Sequence, residues 1–180
     1  EILAGREVRT TLATLEAQGC EVSYHAVDVR DAEAVVPVIQ QLRLECGPVR
    51  GIIHGAGVLA DQTIEGKTRD AFDRVLGTKI DGLANVLRAI NTDELKLLAV
   101  FSSFTARYGR TGQLDYAIAN ESLNKLSQDF ARRFPSCRVA SFNWGPWQGG
   151  MVTPGLKSLF EAEGVGLIGL NEGADLFARD

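Results

Sequence analysis

The chain has 180 residues, 45% of them hydrophobic and 23% charged, with a formal net charge of −4. That is one domain's worth of chain, long enough for a real core and ordinary for a soluble globular protein. The acidic balance argues against nucleic acid as a partner, because phosphate recognition needs a basic face. No apolar run approaches the roughly 18 residues of a membrane span, and nothing at the start reads as a signal peptide, so no membrane partner is expected. Cys20, Cys46 and Cys137 have no metal-like spacing. They read as buried, reduced thiols in a reducing, cytoplasmic compartment, with no metal site expected.

Strand-like runs alternate with helical patterns, the signature of a parallel sheet covered by helices. Residues 1–18 carry Val8, Leu12 and Leu15 at helical spacing, with Gly19 as a stop. Residues 21–28 (EVSYHAVD) alternate like a strand. Asp31 caps a helix running to about Glu45, which Gly47-Pro48 ends. Residues 49–54 form a short buried strand, 68–90 a long helix carrying Lys79, and 97–102 a central strand. Residues 114–134 are another long helix and 138–143 the next strand. The segment NWGPWQGGMVTPG that follows is too rich in Gly, Pro and Trp for regular structure, so residues 144–164 read as a loop or lid region. Helical stretches at 154–163 and 171–179 finish the chain.

One absence shapes the expected fold. A dinucleotide-binding α/β fold opens with a strand, a glycine-rich turn and a helix, whose glycines let backbone approach a pyrophosphate. No GxGxxG turn is present. The expectation is an α/β, Rossmann-type doubly wound parallel sheet lacking its N-terminal glycine-rich βα unit in this chain. Residues 1–180 then form one truncated domain, a piece of a larger polypeptide.

The chemistry concentrates in SSFTARYGRTGQLDYAIAN, with TKIDG upstream. Tyr116 and Asn120 are four apart and share a helix face. Ser103 closes the apolar run LLAVFSS, where parallel α/β sheets place ligands. Lys79 is a cation able to lower the pKa of a nearby phenol. Together Ser103, Tyr116, Lys79 and Asn120 supply the parts of a carbonyl-reduction site. Singly each has a plainer reading: a strand-end hydroxyl, a packing ring, a solvated lysine and a helix-face amide. The neighbouring Ser102 leaves open which serine faces the site.

At DVRD, GIIHGAGVLAD, TKIDG, FSSFTARYGRTGQLDYAIAN and FNWGPWQGGM the chain resembles the short-chain dehydrogenase/reductase superfamily. Within it the resemblance is to ketoreductase domains of polyketide synthases and polyunsaturated fatty acid synthases. Ordinary members place Lys four after the Tyr; here Asn120 follows Tyr116 and Lys79 lies on the preceding helix, as in the multienzyme ketoreductases. The family's glycine-rich turn would lie before residue 1. The resemblance implies NADPH-dependent reduction of a β-ketoacyl thioester, presented on phosphopantetheine by an acyl carrier protein beside other synthase domains. It implies Tyr116 as proton donor, Ser103 as orienter of the ketone oxygen, Lys79 on the nicotinamide ribose and Asn120 completing a relay. Asp28 and Val29 would lie against the adenine. His54, Gly55, Ala56 and Gly57 would form the cofactor wall, with Lys79 and Tyr116 at its nicotinamide end. Asp61, Trp147 and Met151 are substrate-side candidates. Leu59-Ala60-Asp61 keeps the second Asp of the family's L-D-D pattern, and position 108, where the opposite stereochemical class has Trp, is Tyr108. A D-configured β-hydroxyl is expected. The rival readings are a free-standing reductase of a small ketone and a catalytically silent pseudo-reductase module.

Overall fold

The structure, a computed structural model, describes residues 2–179. Three parallel strands, β1 (Gly51–His54), β2 (Leu97–Ser103) and β3 (Arg138–Trp144), lie in the order β1-β2-β3. Gly51 stands opposite Leu97 and Leu97 opposite Arg138, so the C-terminal ends of the strands face one way. Among the described residues there are seven α-helices: α1 (Ile2–Ala17), α2 (Ala32–Cys46), α3 (Arg69–Ala89), α4 (Thr105–Tyr108), α5 (Leu114–Arg133), α6 (Pro154–Ala162) and α7 (Leu170–Arg179). None is long and apolar enough to cross a membrane.

Local chemistry sets the helix starts. The Asp31 carboxylate accepts from Glu33 N and Ala34 N to cap α2, Thr68 Oγ1 accepts from Ala71 N to cap α3, and Thr153 Oγ1 accepts from Leu156 N to cap α6. The core lies between β2 and the inward faces of α3 and α5, built from Leu83, Leu98, Val100, Leu123 and Phe130. Helix α3 buries Val75, Lys79, Leu83 and α5 buries Asp115, Ala119, Leu123, each at four-residue spacing. A lysine and an aspartate therefore lie in inward stripes, where charged groups need partners.

Three expectations fail. The strand read at 49–54 is shorter and only partly buried: β1 spans Gly51–His54 and Ile53 is exposed. Residues 21–28 are not a strand and are almost wholly exposed, Tyr24 included. Alternation suits a strand, but a strand exists only through its ladder, and no neighbour for this segment occurs among the described residues. The cysteines are not uniformly buried: Cys137 is, but Cys20 and Cys46 are exposed. Cys20 lies just past the turn that follows α1 and Cys46 ends α2, so neither is carried into the packed layer.

Candidate active site

The C-terminal end of β2, the middle of α3 and the first turns of α5 enclose a cleft of about 320 Å³, lined by Ser103, Tyr116, Lys79 and the loop after β3. Strand alternation separates the two serines. Ser102 shares its single hydroxyl proton between the Asn120 carbonyl at 3.1 Å and Asn143 Oδ1 at 3.3 Å, tying β2 to α5 and β3. Ser103 instead bonds Thr105, donating to its hydroxyl at 3.1 Å and accepting from its N–H at 3.2 Å. Lys79, buried on α3, donates to the Phe101 carbonyl at 2.9 Å and lies 5.8 Å from the centre of the Tyr116 ring. Asn120 is fully buried; its Nδ2 donates to the Tyr116 carbonyl at 2.8 Å, and its Oδ1 has no partner among the described residues.

Burial pushes the Tyr116 phenol above its ordinary value; Asn120 and Ser103 pull it back, and the Asp61 charge adds to the rise. The ammonium meets the ring, with a proton committed to Phe101 O, so burial decides the direction. A phenol shifted this way stays protonated at neutral pH and gives up its proton only to a strong base such as an alkoxide. Burial also lowers Lys79 from 10.5 to about 8, which leaves it predominantly charged at pH 7.

Lys79→Met should therefore stabilise the fold at pH 7. The displacement corresponds to about 3 kcal/mol against the charged form. Losing the bond to Phe101 O returns about 1 kcal/mol, so the net gain in Tm is a few degrees. Because the folded value lies below the unfolded one, the unfolded chain binds more protons between about 8 and 10.5. Wild-type stability rises through that window, and the variant's lacks this rise. A variant that melts below wild type at pH 7 would show that the ammonium is not desolvated.

The residues expected around a cofactor divide. Gly55 lines the cleft. A Cβ on Gly57 would stand 3.3 Å from Lys79 Cε and 3.4 Å from its Nζ, so a side chain there would crowd the ammonium. Ala56 joins these two glycines. Val29 is pinned by Asn85, whose buried amide donates to the Val29 and Arg30 carbonyls at 3.0 Å each. The Asp28 carboxylate is engaged by the Arg30 guanidinium at 2.6 Å, and those hydrogen bonds hold its pKa down at about 2. His54 faces α3: its Nε2 donates to the Lys79 carbonyl at 2.9 Å, and burial lowers its pKa, so the ring is neutral.

Trp147 and Met151 both line the cleft. Trp147 meets Trp144 edge to face at 4.9 Å and pairs with Ile168, and a Cβ on Gly173 would overlap its ring. That indole anchors the loop on α7. Met151 is 40% exposed and reaches over Gly57. Asp61 is exposed and outside the cleft lining, and it touches the site through Gln113, whose Nε2 donates to it at 2.8 Å. Tyr108 is 84% exposed and also outside the cleft.

The sequence reading missed Thr105, Gln113, Asp115 and Lys67. Lys67 and Asp115 form an ion pair of 2.9 Å with side chains 6% and 0% exposed. Asp115 had a legible signal, a carboxylate in register with Ala119 and Leu123. Lys67, on a loop 48 residues away, had none.

A model of the KR domain matches residues 3–149. The chain belongs to the KR domain family. Over 179 residues this KR domain is 43% identical to one of the subunits of a polyunsaturated fatty acid synthase from Thraustochytrium sp., covering 99% of this chain and 6% of that protein. It is 39% identical over 142 residues to a phenolphthiocerol-synthesis polyketide synthase of Mycobacterium tuberculosis whose name marks it as inactive, covering 78% of this chain and 9% of that one. Among solved structures, a ketoreductase domain from the bacillaene assembly line superposes with a TM-score of 0.81 at 32% identity, over 94% of this chain and 42% of that one. The chain thus spans less than a tenth of these two curated relatives and under half of that solved domain. The fold is the Rossmann type of short-chain dehydrogenase/reductase ketoreductases.

Proposed function

We propose that this KR domain reduces the β-ketone of a carrier-protein-tethered acyl thioester to a β-hydroxyacyl thioester, with NADPH as reductant, inside a polyketide or fatty acid synthase. One observation carries the reading: a protonated phenol, a serine hydroxyl and a buried ammonium converge on one cleft. The residues present fit the nicotinamide-ribose half of the cofactor. Lys79 spends one of its three protons on Phe101 O, leaving two for ribose hydroxyls. Asn120 Oδ1 is a buried acceptor with no partner among the described residues, and such a group calls for a ligand or water. Ser103 and Tyr116 stand beside them.

A reduced nicotinamide, when bound, supplies the two electrons and the hydrogen that add to the ketone carbon. The chain's own residues handle the oxygen. Ser103 swings its proton from Thr105 to the carbonyl oxygen and holds it, and Tyr116 delivers the proton that completes the alcohol. Lys79 fixes the ribose and, being cationic, opposes the charge left on the phenolate. Residues 144–164, anchored by Trp147, form the lid region that limits water, with Met151 against the substrate. Asp28, Val29 and the segment 54–57 serve the adenosine half.

The silent-module reading finds support in the relative named as inactive, but the complete set of Ser103, Tyr116, Lys79 and Asn120 opposes it. The order of Lys79 and Asn120 about Tyr116 opposes the free-standing reductase. The deciding measurement is NADPH oxidation by a domain of full family length, with a β-ketoacyl thioester mimic as substrate and the β-hydroxy product identified. Absence of turnover with bound NADPH would support the silent module instead.

The product should be the D-hydroxy thioester. Asp61 is present, and Tyr108 projects into solvent instead of flanking the cleft, so it cannot substitute for the Trp of the opposite class. Chiral chromatography of the product checks this; a predominantly L product would show that Asp61 does not set the entry side.

A further inference from the structure

Ser103 is joined to Asp61 by an unbroken line of side chains. Gln113 Nε2 donates to Asp61 Oδ2 at 2.8 Å, and Thr105 Oγ1 donates to Gln113 Oε1 at 3.4 Å, the longest link. Ser103 Oγ donates to Thr105 Oγ1 at 3.1 Å, while the Thr105 N–H donates back to Ser103 Oγ at 3.2 Å. Ser103, Thr105 and Gln113 are 6%, 2% and 7% exposed, so water does not compete along the line.

The direction of the line is not free. A carboxylate only accepts, so the Gln113 nitrogen must face Asp61 and its oxygen must face Thr105. The single proton of the Thr105 hydroxyl is thereby committed to Gln113, and Thr105 offers Ser103 only lone pairs. Ser103 keeps its own proton movable and one lone pair open toward the phenol. With the Gln113 amide turned over, Thr105 would donate to Ser103. Together with the Thr105 N–H, it would fill both lone pairs of that oxygen.

We propose that Asp61 is a positioning residue for Ser103, fixing through Gln113 and Thr105 the direction in which the serine hydroxyl donates. This rests on the reductase reading above. Asp61 lies outside the cleft lining, so its effect on the rate of the chemical step passes along the line, separately from any influence at the rim on which side the acyl arm enters.

The test uses a domain of full family length as wild type, Asp61→Asn, Thr105→Val, the double variant and Thr105→Ser. Turnover of the thioester mimic at saturating NADPH and Tm are measured on each. Asp61→Asn lets Gln113 turn over and should lower kcat about 3- to 10-fold; Thr105→Val cuts the line and should lower it about 10-fold or more. KM for the thioester should change less than about twofold in both, the pattern of a group that binds no substrate. The double variant should be no slower than Thr105→Val, because both changes break one line, and Thr105→Ser should restore most of the rate. Single variants with unchanged kcat, or a double variant whose loss is the product of the two, would overturn the proposal. The Tm values report on the line apart from catalysis: losses in the double variant below the sum of the singles support it, and additive losses overturn it. A wild-type domain without turnover overturns the reductase reading itself, and with it the role of the line in reduction.

Discussion

Tyr116→Phe should slow reduction of a β-ketoacyl thioester by about two orders of magnitude or more, the usual scale for losing a general acid. NADPH affinity and Tm should stay near wild type. The reason for the separation is geometric. The ring of Tyr116 does the packing, half-buried on α5 with the Lys79 ammonium 5.8 Å from its centre, and Phe keeps that ring. Only the hydroxyl is lost, and burial holds it protonated. Stopped-flow or steady-state turnover with a separate cofactor titration reads both quantities. Near-normal kcat in Tyr116→Phe would remove Tyr116 as the acid.

Lys67→Met should cost about 3–5 kcal/mol of stability, the range for stranding one charge of a buried pair. At ~2–4 °C per kcal/mol, that is a fall in Tm of about 10 °C. Lys67 and Asp115 are withdrawn from solvent and 2.9 Å apart. The lysine also donates to the Ala60 carbonyl, and the other Asp115 oxygen accepts from the Tyr116 N–H at 2.9 Å. Without Lys67 the carboxylate remains buried at the first turn of α5, with no cation to offset its desolvation and only the Tyr116 N–H and the helix N-terminus left to favour it. Adding Asp115→Asn removes the stranded charge, keeps an oxygen for the Tyr116 N–H, and should recover most of the loss. Exposed pairs such as Arg69–Asp73, with side chains 86% and 51% exposed, should be worth under about 1 kcal/mol by comparison. A loss of that small size in Lys67→Met, or no recovery in the double variant, would show the pair to be solvated.

Much of the architecture was legible because it depends on neighbours in sequence. The cap Asp31, the stop at Gly47-Pro48 and the apolar run 97–103 act over a few residues, and the elements begin and end within a few positions of where those signals fall. The order of Ser103, Tyr116 and Asn120, with Lys79 upstream, was also enough to indicate the family. Where the local rule needed a partner, it misled. Residues 21–28 carry strand alternation with no adjacent strand among the described residues, and Cys20 and Cys46 lie on outward positions that composition does not reveal.

By itself, then, the sequence determined the alternation of strands and helices, the helix boundaries and the set of side chains proposed here for carbonyl reduction. Tertiary structure alone decided that Ser102 is engaged by Asn120 and Asn143 while Ser103 bonds Thr105, that His54 is spent on the Lys79 carbonyl, and that Asp28 is held by Arg30. It also decided that the phenol rises in pKa instead of falling, and that Lys67 reaches Asp115 and Gln113 links Asp61 to Thr105. The physical reason is common to all of these. Periodicity and capping are properties of a few consecutive residues, whereas desolvation and hydrogen-bond direction depend on groups from distant segments that meet only when α3, β2 and α5 pack together.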